Sequence, residues 1–267
     1  HIADVSHYVT PGSPLDDEAY RRGTSVYYPG HVVPMLPVAL SNGICSLNPD
    51  VDRLAFSAFL EVDKDGRCHK SQFAKTVIRS KARMTYRKMN EIFDGNKERR
   101  AEYAFLTETA DRMHALSQAM RRRRMERGAL DLDLPEAEIL TDESGEPVEV
   151  SFRARGDAEK MIEEFMLAAN EAVAAYMTHR NNPTVYRVHE SPDPEKLRVF
   201  AQFARPFGYR VDASKPNDTA QLQAVLDGAK DDPRQRALPT LLLRSLARAR
   251  YDAECLGHYG LQAKEYL

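Results

Sequence analysis

Alternating apolar and polar positions predict a strand over residues 1–9. A short helix follows over 15–22, opened by a proline and acidic residues that suit a helix start. Residues 23–49 then lose any period. Within them SVYYPGHVVPMLP, from Ser25 to Pro37, holds three prolines among tyrosines, valines, a methionine and a leucine. Prolines at this density are excluded from a helix interior or a central strand. A stiff, irregular and unusually apolar segment is therefore expected. Strand patterning returns at 53–62 and 67–79 around DKDG, a hairpin turn signal. Helical spacing covers 85–93 and then 97–127 as one long helix, with Leu106, Ala110, Met113, Leu116 and Met120 near one face and Gly128 as its stop. A second hairpin is predicted over 136–152 around DESGEP. The strongest helix spans 157–179. A short strand at 184–188 and helices near 193–206, 218–228 and 239–252 complete the chain, the last with Pro239 in its first turn. Hairpins come first and helices mostly later, which gives an α+β (mixed α/β) fold in one domain without internal repeats.

Composition changes this picture little. Of the 267 residues 42% are hydrophobic, enough for a core, and the net charge of −2 confines any nucleic-acid contact to a local patch. Cys45, Cys68 and Cys255 are odd in number and far apart. That spacing argues against a disulfide framework and a zinc ribbon, and fits a reducing compartment. No apolar run approaches the ~18 residues of a membrane span, and no secretory signal is present. The chain runs from His1 to Leu267 without polar ends, the expectation for a piece of a longer chain.

Charge distribution adds more. Residues 67–90 contain eight Lys or Arg and no acid, with Phe73 and Tyr86 among them. Such a stripe suits a phosphate backbone with bases stacked on the rings; a solvated strand face balanced by acids elsewhere is the competing reading. The run RRRR at 121–124 reads as a solvated helix end, where cations suit the helix dipole. Helix 157–179 is apolar over most of its circumference, yet Glu163 and Asn170, seven apart, share a face. Polar groups there must be hydrogen-bonded or serve a site. His189 closes a strand and reads as structural. Cys68 and His69 lack metal partners at usable spacing. Asp4 is the one acid inside an apolar strand, and clustered carboxylates, nucleotide-binding glycine loops and nucleophile elbows are absent from the 267 residues.

The blocks HIADVSHYV, LDDEAYRRGTSVYYPGHVVPMLPVALSNGICSLNP, VIRSKARMTY, RGALDLDLPE, IEEFMLAAN and LLRSLARARYDAECLGHYGL occur in that order. Together they resemble the catalytic RNB domain of the RNase II/RNase R exoribonucleases, nearest the bacterial RNase R type. The resemblance implies the RNB fold, antiparallel hairpins packed with several helices, here incomplete at both ends. It implies processive, Mg2+-dependent hydrolysis of single-stranded RNA from the 3′ end to nucleoside 5′-monophosphates. Tyr27 matches the aromatic that stacks on a base near that end. Glu163 matches the carboxylate that contacts the terminal nucleotide, where it would meet the 2′-OH that marks RNA. The second stacking ring of the RNase II type falls near Leu132, which departs from the pattern. The stiff segment around Tyr27 would line the deep end of an RNA channel. Lys81, Arg83 and Tyr86 are expected as further RNA contacts on the basic stripe. The family's aspartate cluster lies upstream of HIADVS, and its TSPIRRYPDL block, with an arginine for the scissile phosphate, follows GHYGLQAKEY. No catalytic residue and no metal ligand is therefore expected in this chain. The expected partner is the 3′ end of single-stranded RNA, without a membrane, and the expected state a cytoplasmic monomer. The rival is a non-catalytic RNA-binding RNB paralogue, to which Leu132 lends its support.

Overall fold

Two aspartates set the turns of the two long hairpins. Asp63 Oδ1 accepts the N–H groups of Asp65 and Arg67, both at 2.9 Å, and Asp142 Oδ1 accepts those of Ser144 and Glu146 at 2.9 and 3.0 Å. In each case the glycine three residues after the aspartate, Gly66 or Gly145, takes a positive φ, 76° and 86°. The computed structural model describes residues 1–132, 136–142, 144–153, 155–230 and 232–267. The chain divides into two compact units, one of residues 1–61, 70–107 and 135–158, the other of 62–69, 108–134 and 159–267.

The first unit holds a three-stranded sheet in the order β1 (Ile2–Ala3), β4 (Asp52–Val62), β5 (Cys68–Arg79). Between β1 and β4 lie α1 (Pro14–Arg22), capped by Ser13, and a hairpin of β2 (Val26–Tyr28) and β3 (His31–Val33). The helices α2 (Tyr86–Phe93) and α3 (Lys97–Glu102) follow β5, and β6 (Glu136–Thr141) pairs antiparallel with β7 (Pro147–Arg153). The strand expected over 1–9 is cut to two residues, followed by a tight helical turn at Val5–His7. Asp4 is the cause: its carboxylate accepts the Ser6 hydroxyl at 2.7 Å, a local bond that competes with a strand ladder, and it also pairs with Lys75 of β5 at 3.1 Å.

The second unit is mainly helical: α4 (Ala104–Glu126), α5 (Asp157–His179), α6 (Pro194–Ala204), α7 (Thr219–Ala229) and α8 (Ala237–Ser245), with β8 (Tyr186–Val188) paired to β9 (Arg250–Asp252). Leu197, Phe200, Leu222, Val225, Leu238 and Leu242 form its core and are at most 2% exposed. The hairpin tip at Gly66 belongs here. A Cβ on Gly66 would come within 2.7 Å of the Ala119 carbonyl carbon, so the turn sits directly on the α4 backbone.

Two expected helices are corrected. The long helix of 97–127 breaks at Tyr103 into α3 and α4, where the Thr107 hydroxyl bonds back to the Tyr103 carbonyl at 2.9 Å. The helix of 239–252 ends at Ser245. Its helix-prone tail is drawn into β9 by the ladder with β8, tertiary pairing overriding local propensity. The α+β class stands, and both predicted hairpins form.

Candidate nucleic-acid interface

Tyr27 lies on β2 opposite Val32 of β3, across a turn made by Pro29 and Gly30, the pair a type II turn favours. Ser25 Oγ accepts the Met35 N–H at 2.9 Å and Arg22 donates to the Pro34 carbonyl at 3.0 Å, closing the base of this ribbon. The segment expected to be irregular thus contains an antiparallel ladder, with its prolines at the turn and beyond β3. All six residues of the two strands are exposed. Tyr27 is 77% exposed, and its side chain has no hydrogen bond or ring contact among the described residues. A ring held out on a short, pinned ribbon offers a stacking face to any base.

The basic stripe is narrower than its composition. Lys70, Lys75, Arg79, Arg87 and Lys88 pair with Glu61, Asp4, Asp52, Glu91 and Glu102. The reading of a strand face balanced by acids holds for Lys70, Lys75 and Arg79 on β5, and Arg87 and Lys88 on α2 are paired as well. Lys81 and Arg83 lie exposed in the loop between β5 and α2 and have no carboxylate partner among the described residues. Tyr86 opens α2 and is 41% exposed. If Lys81 and Arg83 each meet one phosphate, replacing both by alanine should flatten the dependence of log affinity on log salt by about 1.4, at about 0.7 per contact on a single strand. Salt titrations of RNA binding measure this slope; Arg79→Ala, which removes an already paired cation, should leave it unchanged.

In the second unit the carboxylate that α5 buries is Glu164, which periodicity did not single out. Arg124 and Glu164 are 6% and 3% exposed. Arg124 Nε and Nη2 donate to Glu164 Oε1 at 3.0 and 2.6 Å. Burial alone would lower the Arg124 pKa, and the bonds and charge of Glu164 turn it upward. Arg121 pairs with Asp131 at 2.7 Å, and Arg127 pairs with Glu171 at 2.7 Å. The run RRRR is therefore not a solvated helix end: residues 121 and 124, one turn apart, face inward, and only 122 and 123 are fully exposed. The signal was present as arginines at steps of three, 121 and 124 on α4 and 127 just past its end, against Glu164 and Glu171, seven apart on α5. Glu163 is 29% exposed, with Oε1 3.8 Å from Arg124 Nη2. Asn170 donates to the Tyr266 hydroxyl at 3.0 Å, a structural use. Leu132 packs against the core of this unit and presents no second plate to a base.

His189 is structural as well. It is 8% exposed, its Nδ1 accepts the Gly260 N–H at 3.1 Å, and its ring meets His258 edge-on at 5.0 Å. Burial, then the charges of His189 and Arg187, push the His258 pKa from 6.5 down to about 4. The unfolded chain therefore takes up this proton first. Stability is whole above pH 6.5 and falls as the pH drops from there toward 4. Denaturant unfolding at pH 7 and pH 4.5 should show the loss, smaller in His258→Gln.

All 267 residues match the model of the RNB domain. The chain belongs to the RNB-domain family. This RNB domain is 45% identical to ribonuclease R 1 of Lactococcus lactis, over 100% of the chain and 33% of that relative. It is 43% identical to ribonuclease R of Thermotoga maritima, over 100% of the chain and 38% of that relative. The chain thus spans between a third and two-fifths of these relatives. Ribonuclease R of Mycoplasma genitalium, solved with ribose-methylated single-stranded RNA, superposes with a TM-score of 0.89 at 32% identity, over 99% of this chain and 41% of that one. The RNB fold expected from the sequence is the fold observed. No helix among the described residues is long and apolar enough to cross a membrane.

Proposed function

We propose that the intact protein carrying this RNB domain is a 3′→5′ exoribonuclease that degrades single-stranded RNA processively to nucleoside 5′-monophosphates. The reading is carried by the exposed ring of Tyr27, without a partner among the described residues, on a domain 45% identical throughout to a ribonuclease R. In this reading Tyr27 stacks on a base near the 3′ end, Lys81 and Arg83 hold phosphates, Tyr86 adds a second aromatic contact, and Glu163 accepts the 2′-OH.

Mg2+ is the proposed cofactor of the intact protein, there to activate water and steady the leaving oxygen. The described residues do not fit it: no three His, Cys, Asp or Glu among them converge as a cation site. Asp4, the most suggestive acid by sequence, is committed to Ser6 and Lys75. No catalytic step is assigned to this domain's residues; their part is to bind and align the strand.

The test is a 5′-labelled single-stranded RNA given to the intact protein with Mg2+ and with EDTA. Collapse to a very short labelled product with Mg2+ alone is the expected result. RNA that is retained but uncut would make the protein a binding module on a nuclease fold.

A further inference from the structure

We propose that Arg124 is a positioning residue for Glu163, holding that carboxylate aimed at the ribose of the bound RNA end. This rests on the reading of Glu163 as an RNA contact. Glu163 and Glu164 are consecutive on α5, so about 100° of helix rotation separates them. Glu164 turns inward and Glu163 stays at the rim. Arg124 Nη2 lies between the two carboxylates, 2.6 Å from Glu164 and 3.8 Å from Glu163.

Stability gives little reason for such a pair. Desolvating two charges offsets most of their attraction, and apolar residues of like volume commonly serve a fold as well. An arginine locked on Glu164 supplies something an apolar pair does not: a fixed cationic edge beside Glu163. The lock is firm. Nε and Nη2 both bond Glu164, and Arg121, anchored on Asp131, places its buried Nη1 3.8 Å from the same Glu164 oxygen. A carboxylate held in place before binding loses less side-chain freedom when RNA arrives. So placed, the carboxylate accepts the 2′-OH as a charge-assisted hydrogen bond. Discrimination of RNA from DNA at the 3′ end would then depend on Arg124 although it touches no RNA.

The test compares binding, in EDTA, of an RNA oligomer and the same oligomer with 2′-deoxy sugars at its 3′ end. The proteins are the intact wild type, Glu163→Ala and the double variant Arg124→Met/Glu164→Met. The ribose preference should fall roughly tenfold in both variants, the loss of one hydrogen bond to a charged group, while affinity for the deoxy oligomer stays within about twofold. A loss in Glu163→Ala with full preference in the folded double variant would overturn the role of Arg124 and leave that of Glu163 standing. No loss in Glu163→Ala would overturn both. Should the double variant not fold, Arg124→Lys decides. It keeps a cation on Glu164 but lacks the fork that locks on Glu164 and sets Nη2 beside Glu163; a lost preference supports the proposal and a retained one overturns it.

Discussion

Replacing Arg124 by methionine alone should destabilise the protein by about 3–5 kcal/mol, the usual cost of stranding one member of a buried ion pair. The substitution leaves the Glu164 carboxylate 3% exposed and without its bidentate partner. Arg121, 3.8 Å away and already engaged by Asp131, cannot replace two direct hydrogen bonds. Chemical denaturation of the single variant, of Glu164→Met and of the double variant closes a thermodynamic cycle. The two single changes should each be severe. The double change should return to within about 1–2 kcal/mol of wild type, because no charge is then left unpaired. Three equally mild variants would show that water reaches the pair and that its burial has little energetic weight.

Tyr27→Ala should act in the opposite way, leaving stability intact and weakening binding of single-stranded RNA by ~1–3 kcal/mol, the worth of one stacked base. The ring is 77% exposed, so its removal uncovers no core and should change unfolding by no more than about 0.5 kcal/mol. Tyr27→Phe should bind as wild type does, because stacking needs the ring and not the hydroxyl. Fluorescence anisotropy with a 3′-accessible oligomer and catalytically silent conditions reads the effect directly. Unchanged affinity in Tyr27→Ala would remove the ring from the interface.

What the sequence made legible was mostly local. Asp63 and Asp142 announce their turns because an aspartate side chain and a glycine at positive φ are short-range devices. Helix 157–179 was legible to the residue because its apolar period is long and uninterrupted. The misses were decided at a distance. The tail of α8 has helix-forming residues, but β8, far back in the chain, claims it. Arg124 looked like one of four surface cations because its partner lies 40 residues away. The basic stripe shrank for the same reason: Asp4, just after β1, and Asp52, on β4, neutralise Lys75 and Arg79 from far along the chain. Tyr27 was singled out through the blocks that surround it, and the fold adds that its ring is exposed on a short ribbon.

The pairing of β8 with β9 has a consequence for how the chain is made. Val188 and Arg250 are ladder partners, yet the 61 residues of 189–249, including α6, α7 and α8, lie between them. During synthesis from the N-terminus, β8 leaves the ribosome long before its partner exists. At roughly 5–20 residues per second it waits several seconds with Tyr186 and Val188 uncovered and one strand edge unpaired. The intervening helices are built on short-range contacts and form first, and their packing shortens the span the ladder must close. β9 therefore acts as a clasp. Nascent chains stalled before Arg250 should remain sensitive to protease near Tyr186, and those in which residues 250–267 have cleared the ribosome should become resistant there.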